Sequence, residues 1–120
     1  MKTVFATVLL LAAAPAFAAG PSFDCKAARQ PVEKAICSDA ALAELDLAMA
    51  RAYRQAVQRV TGDAAALDEL KKSQRTFVGS RNAAFERTDY RLGDHMTRRI
   101  ALLGNINIDE RKTLLNDWAS

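Results

Sequence analysis

The stretch that decides the fold is Ala40–Val60, AALAELDLAMARAYRQAVQRV, with Thr61-Gly62-Asp63 after it and then AAALDELKKSQRTFVGSRNAAFE over Ala64–Glu86. In the first segment Leu42, Leu45, Met49, Ala52, Tyr53, Ala56 and Val60 recur at steps of three and four residues, which makes one apolar stripe on a helix. Glu44, Arg51, Arg54, Gln55, Gln58 and Arg59 fall mostly outside that stripe. Ser38 or Asp39 supplies the side-chain acceptor that caps such a helix. Gly62 is suited to end it in the left-handed conformation. The second segment carries the stripe Leu67, Leu70, Gln74, Phe77, Val78, Arg81 and Phe85. A connection as short as Thr61–Asp63 makes the two helices antiparallel neighbours.

Gln74 and Arg81 are polar members of an otherwise apolar stripe. If they are buried, both need hydrogen-bonding partners and Arg81 needs a carboxylate, for which Asp46 and Glu44 are the candidates. If they mark an exposed helix edge, neither requirement holds. The sequence leaves both readings open.

Outward from the hairpin, Thr88–Gly93 reads as a loop and Asp94–Leu103 as a third helix built on Met96, Ile100 and Leu103. Gly104-Asn105 ends it. Asp109 caps a last short helix reaching to about Trp118, with Leu114, Leu115 and Trp118 as its apolar side, and Asn105–Ile108 is the one stretch that reads equally as extended. Upstream, Phe23–Ala28 suits a helical turn. Pro31–Cys37 suits a short helix whose first position is Pro31, where the missing N–H has no helical partner anyway. Glu33 then lies at the positive end of that helix dipole. The expectation is an all-α chain, a small antiparallel helical bundle or hairpin of about three to five helices.

The N-terminus reads differently. Met1-Lys2-Thr3 is a short positive lead, Val4–Ala14 is apolar apart from Thr7, and Pro15 precedes the A-x-A site Ala16-Phe17-Ala18. An apolar run of this length is too short to span a hydrocarbon layer of about 30 Å. It fits a secretory signal peptide, residues 1–18, cleaved after Ala18, with Ala19 as the second choice. No cysteine follows the cleavage site directly, since Cys25 lies too far down, so a free periplasmic or secreted protein is expected, with no lipid anchor and no membrane span. Residues 19–120 then form a single domain.

Only Lys2 among the charged residues lies in the signal peptide, which leaves 16 basic against 14 acidic side chains in the mature chain. So even a balance argues against a dedicated nucleic-acid binder, which carries a dense basic stripe. The arginines Arg51, Arg54, Arg59, Arg75, Arg81, Arg87, Arg91, Arg98 and Arg99 suit anionic envelope polymers or acidic proteins, or simply a soluble mixed-charge surface.

Cys25 and Cys37 are the two cysteines, with eleven residues between them. In an exported chain an even count reads as a disulfide. Closing a loop of this size stabilises by roughly 3 kcal/mol on the chain-entropy model. A zinc site would need further ligands, and His95 is the single histidine. The C-x-x-C spacing of a redox pair is absent.

Catalytic chemistry finds no constellation. His95, beside Asp94 at a helix start, reads as a surface or capping residue. The disulfide leaves no thiol nucleophile. Ser38, Ser73 and Ser80 lack a nucleophile-elbow context. Glu33, Glu44, Asp46, Asp68 and Glu69 sit on helices among basic neighbours and read as solvated surface. No glycine-rich phosphate loop occurs. The expectation is a protein that is not an enzyme and uses no cofactor and no metal.

Phe23-Asp24-Cys25, then Pro31-Val32-Glu33-Lys34 and Cys37-Ser38-Asp39, resemble the opening of the LprI-like lysozyme-inhibitor domain. Leu42-Ala43-Glu44-Leu45-Asp46 and Tyr53 continue the pattern. Gln74-Arg75-Thr76-Phe77 and Ser80-Arg81-Asn82 resemble the family's second signature, Q-R-x-W followed by an R-N pair. The likeness covers about residues 23–103. Phe77 stands in place of the usual tryptophan and Ala40 in place of a frequent proline. Ala84 and Phe85 stand where many members have a third cysteine, and its partner is missing too, so one whole disulfide is lost.

The resemblance implies a periplasmic or extracellular protein that binds and inhibits lysozyme by plugging or covering its cleft, with contact residues unassigned. Animal lysozymes of the common type are basic, so a slightly basic partner needs a local acidic patch for complementary charge. The alternative is a non-enzymatic cell-envelope module that binds a partner protein or peptidoglycan. Salt separates the two: polymer binding through arginines weakens steeply with ionic strength.

Overall fold

The computed structural model describes residues 20–106 of the protein. Among them a 3-10 turn over Cys25–Ala27 leads to four helices, α1 (Pro31–Ser38), α2 (Ala40–Val60), α3 (Ala64–Ala84) and α4 (Leu92–Gly104). No strand occurs among the described residues. The expected signal peptide and the expected helix from Asp109 to Trp118 lie outside them.

The starts of α1, α2 and α3 have local causes. Asp39 is extended and its carboxylate accepts from the N–H groups of Ala41 and Leu42 at 2.9 and 3.2 Å, so α1 stops and α2 starts at one residue. Of the two candidate caps this selects Asp39, and Ser38 instead donates its hydroxyl to Ala35 O. Asp63 caps α3 in the same way through Ala66 N–H. Pro31 opens α1, as its sequence position implies.

α3 ends at Ala84, two residues short of the expected Glu86, and two further details depart from the sequence reading. Gly62 is not left-handed, and no described residue has positive φ. The end of α2 is closed by other donors: the Thr61 hydroxyl bonds to Val57 O at 2.6 Å and Asp63 N–H to Val60 O at 2.9 Å. A left-handed glycine is unnecessary once those carbonyls are satisfied. The second departure is α4, which starts two residues early, at Leu92. Arg91 precedes it without a side-chain cap, so the start carries no sequence signal, and the burial of Leu92 in the core fixes it instead.

α3 runs antiparallel to α2, placing Ala66 and Leu70 with Val60 in the core. α4 returns parallel to α2 and lies closest to it. Its start rests on the start of α2: a Cβ on Gly93 would meet Leu45 Cδ1 at 3.7 Å and Leu42 Cδ2 at 3.8 Å. Its end meets the end of α2, where Arg59 donates to Leu103 O at 2.6 Å and Ile106 O at 2.8 Å. Those bonds place a cation at the carbonyl end of α4, where Leu103 O also accepts from Ile106 N–H at 3.4 Å.

The core is Val32 and Ile36 of α1, Met49, Ala56 and Val60 of α2, Ala66 and Leu70 of α3, and Leu92, Met96 and Leu103 of α4, with Ile106 beyond it. α1 is only eight residues long, too short to hold a helix by itself in water. It is pinned by Val32 and Ile36 from inside and by the Cys25–Cys37 disulfide from outside, with Cα atoms 5.8 Å apart.

Candidate functional site

Four polar residues are buried with this core: Asp46, Ser73, Arg81 and Arg99, at 3, 2, 6 and 5 % exposure. They form two layers. In the lower layer Arg99 of α4 reaches across to α3, donating from Nη2 to Ser73 Oγ at 2.5 Å and from Nε to Gln74 Oε1 at 3.2 Å. Its guanidinium carbon lies 5.6 Å from the centre of the Phe77 ring, a cation–π distance. Burial pushes Arg99 down to about 10, offset by Tyr53, so it stays charged at neutral pH.

The upper layer is Arg81. Its side-chain hydrogen bonds among the described residues are two long ones, from Nε and Nη2 to Asn82 Oδ1 at 3.4 Å. Burial lowers its pKa, and the charges of Asp46, then Tyr90 and Glu33, oppose that shift. Asp46 lies behind it on α2. Its Oδ2 accepts from Ser22 N–H at 2.6 Å and from the Ser22 hydroxyl at 2.5 Å, which ties the segment before the disulfide to the helices.

In front of Arg81 a half-open groove of about 450 Å³ lies between the end of α3, the loop after it and the start of α4. Phe77 and Ala84 form its apolar wall, and Ser80 adds a hydroxyl. Tyr90 and His95 close the other side as a stacked pair, ring centres 4.3 Å apart and 16° from parallel. Burial raises the Tyr90 pKa, and Arg81 and Arg98 oppose it. At the rim Arg87 and Asp89 form an exposed ion pair at 2.7 Å, and the Arg87 hydrogen bond lowers the Asp89 pKa.

Several sequence expectations are settled here. Arg81 is buried, and of the two candidate carboxylates Asp46 is the one whose charge acts on it, while Glu44 is exposed. Three readings are corrected. Arg99, counted among surface arginines, is an internal strut. Asp46, taken as solvated surface, is buried because α2 is covered on two sides, by α1 with the N-terminal segment and by α4. His95 is a half-buried wall of the groove rather than a surface or capping residue, because Tyr90 stacks over it. Ser73, set aside in the sequence as a nucleophile, was not placed in the interior, although its four-residue spacing from Phe77 on α3 carried the signal.

Among the described residues no group of three or more His, Cys, Asp or Glu could hold a metal ion, and no helix is long and apolar enough to cross a membrane. The fold and the groove together define a small, disulfide-tied helical bundle with a side pocket walled by arginine and aromatic rings. The chain belongs to the LprI lysozyme inhibitor family: the family model described as "Lysozyme inhibitor LprI" matches residues 25–111. It is also 34% identical over 91 residues to an uncharacterized protein of Rhizobium meliloti (strain 1021), a match covering 67% of this chain and 66% of that protein. The match thus spans just under two thirds of that relative's length. No solved structure matches.

Proposed function

We propose that this protein binds and inhibits lysozyme in the periplasm or outside the cell, as a mature single domain of residues 19–120 that has no catalytic activity of its own. The observation that carries the reading is the family match, which runs from Cys25 through every helix described. The disulfide supports it, since such bonds persist in oxidising compartments.

Charge supports a particular orientation. Residues 20–50 hold five acidic and three basic side chains, whereas residues 51–106 hold six acidic and eleven basic. With Asp46 buried, the exposed Asp24, Asp39 and Glu44 are balanced by the exposed Lys26, Arg29 and Lys34, so this end is close to neutral and is the least basic face a basic lysozyme could meet.

The test is lysis of a bacterial cell-wall suspension by animal and bacterial lysozymes, followed by turbidity, with oxidised protein added. Dose-dependent protection is expected, and the charge reversal Glu44→Lys should slow association with a basic lysozyme. No protection at large molar excess would sink the inhibitor reading and leave an envelope module that binds another protein or peptidoglycan.

A further inference from the structure

The groove in front of Arg81 has a chemistry of its own. A buried guanidinium with five N–H donors finds, among the described residues, only one acceptor oxygen, and that at 3.4 Å. Asp46 offsets its charge through space but does not close on it as an ion pair, and its Oδ2 is bonded to Ser22. Arg81 thus contributes to the groove wall with hydrogen-bonding capacity left over. The rest of that wall is mostly apolar: Phe77, Ala84 and the flat Tyr90–His95 stack. A concave, largely apolar pocket with a few fixed polar groups is the usual form of a small-ligand site, and 450 Å³ falls within the usual range.

We propose that this groove binds a monocarboxylate with an apolar body, its carboxylate on Arg81 and its body between Phe77 and the Tyr90–His95 stack. The planar fork of arginine matches a carboxylate with two parallel N–H···O bonds. A single negative charge suits the site better than a dianion such as phosphate. Asp46 already offsets part of the Arg81 charge, and Arg87 at the rim is paired with Asp89, so neither leaves a full second positive charge for a dianion. Ser80 is placed to donate to the same group. The free end of a peptide and a free aromatic acid share this chemistry. The site does not depend on lysozyme inhibition.

The test is a titration of the exported, oxidised protein followed by NMR shifts of Tyr90 and His95. The probes are N-acetylphenylalanine, the peptide Ala-Ala-Phe, and the C-terminal amide of each. The acids should bind about tenfold or more tightly than their amides, because the charge-assisted bonds are lost on amidation. Ala84→Trp, one turn from Arg81 on α3, fills the groove while leaving the guanidinium in place, and should abolish binding while the thermal unfolding midpoint is kept. Arg81→Gln should abolish the preference for acid over amide. A peptide acid that binds as well as the free acid or better identifies a chain terminus as the natural ligand. Binding of the free acid alone identifies a small molecule. Equal binding of acid and amide, unchanged binding in a folded Ala84→Trp variant, or no shift at about 10 mM probe, near the weak limit of specific affinity, would each overturn the proposal.

Discussion

Arg99 of α4 donates to Ser73 Oγ of α3 at 2.5 Å in the interior of the bundle. α4 lies closest to α2, so the space between α3 and α4 must be filled by something long. Arg99 fills it with an aliphatic stem and a guanidinium that bonds Ser73 and Gln74 and faces Phe77. A polar bridge of this kind fixes the rotation of both helices, because each donor must meet its acceptor.

Arg99→Ala should therefore be among the most damaging single changes in the bundle, at about 3–5 kcal/mol, since it leaves a cavity and buried groups without partners. Arg99→Met should cost much less, because it keeps the volume and removes the charge. The folded pKa of Arg99, about 10, lies well below that of an arginine in the unfolded chain. Below about 10 both states hold the proton, so the group adds no pH slope. Above that the folded state releases its proton first, and the contribution to stability rises with pH. Urea unfolding of wild type and Arg99→Met should thus differ by a constant amount between about pH 6 and about pH 9.

The helices were legible because their apolar residues keep the 3.6-residue period: Ala40–Val60 is helical over the span its sequence implies. The polar interior was legible only in part. Arg81 interrupts an apolar stripe, and by spacing Asp46, four after Leu42 and three before Met49, and Arg99, three after Met96 and four before Leu103, also border one. Spacing marks such an edge position but does not report which neighbour covers it, α1 and the N-terminal segment for Asp46 and α3 for Arg99. The Tyr90–His95 wall depends on the path of the loop after α3, where short-range signals are weakest.

Asp46 holds the N-terminal segment through Ser22. Ser22→Ala should cost about 1 kcal/mol, the hydroxyl bond alone. Asp46→Ala should cost about 3 kcal/mol, because it also strips Arg81 of its buried counter-charge. A double-mutant cycle between positions 22 and 46, read by denaturant unfolding, should show a coupling of about 1 kcal/mol. Strict additivity would mean that the two residues act separately.

Arg59 is exposed yet closes the far end of α4 through Leu103 O and Ile106 O. Arg59→Ala should cost about 1–2 kcal/mol, in the range of hydrogen bonds to a charged group. The loss should be local, so amide exchange at the last turn of α4 should speed up while exchange at Leu70 keeps its protection. Uniform acceleration across all four helices would contradict a capping role.

Export can be checked by mass. The first 18 residues carry a short positive lead, an apolar run and Ala16-Phe17-Ala18. Protein recovered from the periplasm or medium should begin at Ala19. Ala18→Leu should block processing and leave the precursor in the membrane fraction, because the cleavage site needs a small side chain there. An unprocessed chain in the soluble fraction would sink the signal-peptide reading.

The disulfide offers the sharpest link between fold and proposed function. Cys25–Cys37 joins a turn with no buried residue to an eight-residue helix held by Val32 and Ile36 alone. Removing it by Cys25→Ser/Cys37→Ser should lower stability by roughly 3 kcal/mol. The loss should begin at α1 rather than spread evenly, since α2 and α4 keep their own contacts through Met49, Met96 and Leu103. Far-ultraviolet circular dichroism should then change little at room temperature, while amides of α1 lose protection first. If the end beside the disulfide makes the lysozyme contact, this variant should lose protection in the turbidity assay before it unfolds. If protection instead persists until α2 and α3 unfold, the contact lies elsewhere on the bundle.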